Sequence, residues 1–103
     1  MKALRVKPMC QPEIIETDGS LESLQKEVEG WIQVVYLWDD EVVLVHNDEG
    51  KLMGLDYNRA LYNSKGQMYD YIAGNFLVLG KKEGHFCSLS DEQAEKYAEE
   101  FHL

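Results

Sequence analysis

Apolar and polar positions alternate at the start of this chain, then switch to a helical spacing. Lys2-Ala3-Leu4-Arg5-Val6-Lys7 has the two-residue period of a half-buried strand, with Leu4 and Val6 facing inward and Pro8 stopping it. Glu13-Ile14-Ile15-Glu16-Thr17 is a second short strand, bounded by Pro12 and Asp18-Gly19. The two can pair as a hairpin across Met9 to Pro12. From Ser20 the apolar residues Leu21, Leu24 and Val28 fall on one helical face, with Glu22, Lys26 and Glu29 on the other. Ser20 is the expected N-cap, Glu22 complements the helix dipole, and Gly30 is placed to end the helix in the left-handed conformation.

Trp31 to Trp38 is apolar on both faces, interrupted only by Gln33, and Glu41 to His46 continues in that style. Such runs predict central strands covered on both sides. Asp39-Asp40 between them fits a two-residue hairpin loop. Asn47-Asp48-Glu49-Gly50 is the strongest turn signal, with Gly50 free to take a positive φ and Lys51-Leu52-Met53 leaving as a short strand. Gly54 to Leu61 has no clean period and reads as a loop with a turn of helix. Asn63-Ser64-Lys65-Gly66 is another turn, and Met68 to Leu79 is the last long strand, with a bulge or close approach at Gly74. Gly80 and Gly84 bracket a charged loop. Ser90-Asp91-Glu92-Gln93 matches a capping box, Leu89 and Ala94 stand as a hydrophobic staple, and Ala94, Tyr97, Ala98 and Phe101 form one apolar stripe.

These elements predict a single α+β domain over residues 1–103: a mostly antiparallel sheet of about five or six strands packed against helices near 20–29 and 90–101. The expected core is Leu4, Val6, Leu24, Val28, Val34, Tyr36, Val43, Val45, Ile72, Phe76, Val78, Tyr97 and Phe101. The two-sided apolar strand at 31–38 also leaves room for a homodimer.

Charge changes the picture more than composition does. The formal net charge is −9, and residues 13–49 alone sum to −10, with eleven acids against Lys26. Such a field repels polyanions, so direct nucleic-acid binding is not expected, whereas a basic protein surface suits it. No apolar run is long enough to span a bilayer, and the basic N-terminus lacks the apolar stretch of a signal peptide, so a cytosolic protein is expected. Cys10 and Cys87 are isolated and read as ordinary thiols.

Little in the chain points to catalysis. His46, His85 and His102 are not spaced with other metal ligands, and His46 reads as a packed or hydrogen-bonded histidine. Asp39, Asp40 and Glu41 diverge on a turn, which does not make a glycosidase pair, and Asp48-Glu49-Gly50 lacks the ligand ladder of a calcium loop. No phosphate-binding or nucleophile motif is present. The expectation is therefore no catalytic residue, no metal, no cofactor and no enzyme activity. Tyr57-Asn58-Arg59 is the one constellation that could hold a carboxylate or phosphate. The other reading of Arg59 is an ion pair with Asp56 or Asp70 that pins a loop.

Several motifs in order carry a resemblance. They are Tyr36-Leu37-Trp38-Asp39-Asp40, Asn47-Asp48-Glu49-Gly50-Lys51-Leu52, Gly54-Leu55 with Asn58-Arg59-Ala60-Leu61, and Tyr69-Asp70-Tyr71-Ile72-Ala73-Gly74-Asn75-Phe76. With Met1 to Val6 and Leu89 to Gln93 the similarity covers nearly the whole chain. The chain resembles an uncharacterised domain family carried by phages, plasmids and integrated elements of Firmicutes and related gut bacteria. That family usually has proline where this chain has Glu41 and Asp56. The resemblance implies a mobile-element accessory protein and brings no catalytic residues. Two functions stay open. One is a non-catalytic inhibitor of a host defence protein, of the anti-CRISPR or anti-restriction kind, binding a basic surface through Asp39, Asp40, Glu41, Asp48 and Glu49. The other is a small-ligand binder that captures a nucleotide signal at Tyr57, Asn58 and Arg59.

Overall fold

In the computed structural model, which describes residues 1–103, the alternating stretches pair as antiparallel strands. β1 (Lys2–Val6) and β2 (Glu13–Glu16) form the expected hairpin, with Leu4 opposite Ile14. α1 (Leu21–Val28) begins at Ser20, whose hydroxyl accepts from the Ser23 N–H at 3.2 Å. Its end departs from expectation. Glu29, not Gly30, takes the left-handed conformation, at φ 63°. Gly30 serves a close approach instead: a Cβ there would lie 2.8 Å from Asn47 Nδ2. That amide donates to Val28 O at 3.0 Å and Glu29 O at 3.3 Å, capping carbonyls that the helix end leaves open.

β3 (Ile32–Val35) and β4 (Val42–Asn47) follow, then β5 (Tyr57–Tyr62), β6 (Met68–Ala73), β7 (Phe76–Lys82), β8 (His85–Cys87) and α2 (Asp91–Glu100). The main sheet has the order β2-β1-β7-β4-β3, with β8 also pairing β7, and β5 and β6 make a separate two-stranded ladder. Every pairing is antiparallel, so the α+β class stands: the main sheet has six strands, within the expected five or six, and the separate ladder brings the total to eight. α2 carries the full capping box at Ser90 and Gln93.

Several expectations are corrected. β3 lies at the sheet edge, and β4 and β7 occupy the centre. Residues 36–41 connect β3 to β4, in place of a two-residue turn, and Glu41 takes φ 51°, which a proline ring forbids. The turn after β4 folds back on itself, with the Met53 N–H donating to Glu49 O at 2.8 Å, so 51–53 is not a strand. Gly50 is required there by contact and not by φ: a Cβ would lie 2.4 Å from Ala73 O. Residues 57–62 are a strand where a loop was expected. The stretch 68–79 is two strands that belong to different sheets, divided at Gly74 with φ 90°.

The strand period sorts the core into two layers. Leu4, Val6, Val42, Leu44, Phe76 and Val78 face α2 and the β5–β6 ladder, joined by Leu61, Ile72, Tyr97 and Phe101. Ala3, Val43, Val45, Leu77 and Leu79 face the opposite side with Leu24 of α1. Two expected core residues differ: Val34 is half-buried, and Tyr36 is 67% exposed because the chain leaves the sheet after Val35.

Candidate functional site

The edge position of β3 creates the most distinctive surface. In an antiparallel ladder, residues alternate between turning both backbone groups toward the partner strand and turning both away. Trp31 O accepts from the Asp48 N–H at 2.8 Å, and Gln33 and Val35 stand opposite His46 and Leu44 in the same parity. The backbone N–H and C=O groups of Ile32 and Val34 therefore face the open side. Between Trp31 and Trp38 there is no lysine, proline, glycine or other charge, the usual means of blunting a strand edge. Trp31 and Tyr36, exposed at 69% and 67%, stand at the two ends of this edge. The absence of any blocking residue was the signal in the sequence, hidden because the strand looked central.

The five acidic residues expected at a partner surface are not one patch. Asp39, Asp40 and Glu41 precede β4, and Asp48 and Glu49 follow it, so a six-residue strand separates the two groups. At about 3.3 Å per residue they lie roughly 20 Å apart. Asp40 is engaged within the fold. Its carboxylate accepts from the Tyr97 hydroxyl at 2.9 Å and from Lys96 Nζ at 3.3 Å, and its backbone O accepts from Gln93 Nε2 at 2.9 Å. The Tyr97 hydrogen bond, with a smaller contribution from Lys96, holds its pKa below the ordinary aspartate value. Asp39, Glu41, Asp48 and Glu49 are exposed and take part in no ion pair.

A groove of about 430 Å³ runs along one face of β3, between Gln33 and Val35, the turn at 48–52, and β6. His46 lies in it. Its Nδ1 is 2.9 Å from Asn47 O, a carbonyl that can only accept, so the ring donates there. Burial lowers its pKa, which matches the expected packed histidine. Lys51 Nζ pairs with Asp70 Oδ1 at 2.6 Å and sits 4.2 Å over the Tyr71 ring. Asp70 also accepts from the Tyr71 backbone N–H at 2.8 Å, and the Lys51 contact holds its pKa down. Asp70 thus occupies the open edge of β6. β3 has no such cover.

Tyr57, Asn58 and Arg59 diverge. Tyr57 is exposed, 5.9 Å from the Tyr71 ring, while Asn58 and Arg59 are buried, at 3% and 8% exposure. Asn58 Nδ2 donates to Val6 O and Gly74 O at 2.9 and 2.8 Å. Arg59 Nε donates to Phe101 O at 3.0 Å, Nη2 to Cys10 O at 2.7 Å and Nη1 to Asn58 Oδ1 at 2.7 Å. Burial lowers the guanidinium's pKa, and neither Asp56 nor Asp70 pairs with it. The pair joins the ends of β1 and α2 to β5 and presents no open cradle to a ligand.

No group of three or more His, Cys, Asp or Glu side chains is placed to hold a metal ion, and no helix is long and apolar enough to cross a membrane. No curated protein and no solved structure matches the chain. The model of one family, a domain of unknown function (DUF3846), matches residues 1–102, and the chain belongs to that family.

Proposed function

We propose that the protein works by binding and not by catalysis, as an inhibitor of a host defence component of the anti-CRISPR or anti-restriction kind, in the cytoplasm of a bacterial host. The observation that carries this reading is the contrast among the carboxylates. Asp40, Asp70 and Asp91 are paired with lysines of other elements of the fold, while Asp39, Glu41, Asp48 and Glu49 are exposed and unpaired. Their charge is left to act on a partner, where complementary potential raises association rates and selects a basic surface. The setting on mobile elements comes from the sequence resemblance.

A pull-down from host lysate tests it, comparing the wild type with a variant carrying Lys at 39, 41, 48 and 49. Asp40 stays, because it holds α2. The variant is expected to fold and to lose the partner, and raised salt is expected to slow association of the wild type. Equal capture by both proteins would refute the acidic-surface reading. A nucleotide released from natively purified protein would replace it with ligand capture.

A further inference from the structure

We propose that the open edge of β3 is a strand-addition site, and that its occupant is an extended basic segment of the partner. The inference deepens the inhibitor reading and rests on its acidic binding surface. Ile32 and Val34 turn their backbone groups to the open side, so an added strand gains main-chain hydrogen bonds without displacing any that the fold makes. Two other ladder edges, those of β2 and β6, are covered differently. β2 is flanked by Glu13 and Glu16, both in ion pairs, and Asp70 caps the backbone of β6.

The side chains define what fits. On one face of β3, Ile32 and Val34 are half-buried against the α1-side core. An apolar row on the added strand would extend that layer. On the other face, Gln33 and Val35 border the groove that also holds Asp48, Glu49 and Asp70, with Lys51 as the only cationic side chain. A strand's side chains alternate between faces. The fitting segment therefore alternates basic and apolar residues, with the basic ones over the groove.

Charge also selects against a second copy of this chain. Antiparallel pairing of two β3 edges would bring the Trp31 end of one protomer, flanked by Glu29 and Asp48, against the Tyr36 end of the other, flanked by Asp39 and Glu41. Like charges would meet at both ends, on two bodies of formal charge −9. A basic strand meets the opposite sign at the same places.

The test uses a fluorescein-labelled peptide of alternating Arg and Val, about eight residues long, and its Glu and Val counterpart. The Arg peptide is expected to bind the intact protein, and the Glu peptide at least about tenfold more weakly. Val34→Pro removes an outward N–H that the ladder does not use, and is expected to weaken binding about tenfold or more. Val34→Ala, which keeps that N–H, is expected to stay within about threefold. Should Val34→Pro fail to fold, hydrogen exchange on the wild type decides: the peptide is expected to protect the Ile32 and Val34 amides. Three results overturn the proposal: no binding of the Arg peptide, equal losses from the proline and alanine variants, or protection confined to other strands. A free protein that is dimeric, with those two amides already protected, gives the edge to a second copy instead. If charge reversal abolishes partner capture in the lysate while Val34→Pro retains it, strand addition fails and the inhibitor reading survives.

Discussion

Replacing Arg59 with methionine removes the side chain that fastens three separate parts of the chain. The guanidinium donates to Phe101 O at the end of α2, to Cys10 O in the loop after β1, and to Asn58 Oδ1 beside it. Methionine keeps much of the stem's apolar volume and supplies no donor. Hydrogen bonds from a charged donor are worth about 1.5–3 kcal/mol each, and a buried acceptor left open costs about 1–3 kcal/mol. Against this stands the cost of burying the cation, which is why its pKa is lowered. Cys10 is exposed, so water can recover part of the loss at its carbonyl, whereas the contact to Phe101 O is buried. The balance is a destabilisation of about 3 kcal/mol, or a melting temperature lower by roughly 12 °C or more for a chain of this length. Arg59→Lys should recover less than half, because one ammonium cannot serve Phe101 O and Cys10 O with the geometry of a fork. Urea denaturation, with the slope unchanged, measures the loss. A loss under about 1 kcal/mol from Arg59→Met would show that the clasp is incidental. It would also return Arg59 to consideration as a ligand group.

Two further substitutions probe other joints. Tyr97→Phe removes the donor that lowers the Asp40 pKa, and should cost about 1 kcal/mol near neutral pH, since the site is partly solvated. A carboxylate whose folded pKa is depressed contributes stability above its unfolded value and loses it as pH falls through the folded value. The gap between wild type and Tyr97→Phe should therefore close below about pH 4, and a gap that persists in acid would refute the coupling. Gly50→Ala places a Cβ 2.4 Å from Ala73 O, a backbone atom that cannot rotate away. It should cost about 1–3 kcal/mol in urea midpoint measurements. An unchanged midpoint would mean that the turn after β4 does not pack on β6 in solution.

The helix starts were legible because a cap is local: Ser20 and Ser90 each bond a backbone N–H three residues on. The inward positions of β1 were legible for the same reason: Leu4 and Val6 face the core as their alternation predicts. What failed was everything decided by a distant partner. β5 did not read as a strand because its inward positions include Asn58 and Arg59. Their acceptors, from Val6 to Phe101, lie far away in the chain. The edge position of β3 was invisible because a sheet covered on both faces makes its edge strand as apolar as its centre. Val35 packs on one core and Ile32 and Val34 on the other. Gly30 suited a helix cap, but Asn47 needed the space. Of the expected partner surface, the exposure of Asp39, Glu41, Asp48 and Glu49 follows from turn preference, whereas Asp40's bond to Tyr97 spans 57 residues and has no local sign.

The placement of the cations explains why so acidic a chain still folds tightly and still shows its charge. Lys2 pairs with Asp91, Arg5 with Glu13 and Glu27, Lys51 with Asp70, and Lys96 with Asp40. Arg59 is turned to carbonyls, and Lys81 donates to the Tyr36 hydroxyl at 2.6 Å. Most of the positive charge is thus used to hold elements together across the fold: α2 to β1, β2 and α1 to β1, the turn after β4 to β6. Among the acids left without an ion pair are Asp39, Glu41, Asp48 and Glu49, at the two ends of β4 and beside an edge strand that carries no charge of its own. Neutralising them internally would need two or more lysines near β3, and an edge lysine is also the residue that would block an added strand. The same omission leaves the edge open and leaves the field around it negative. This is why the two features point to one kind of partner rather than two.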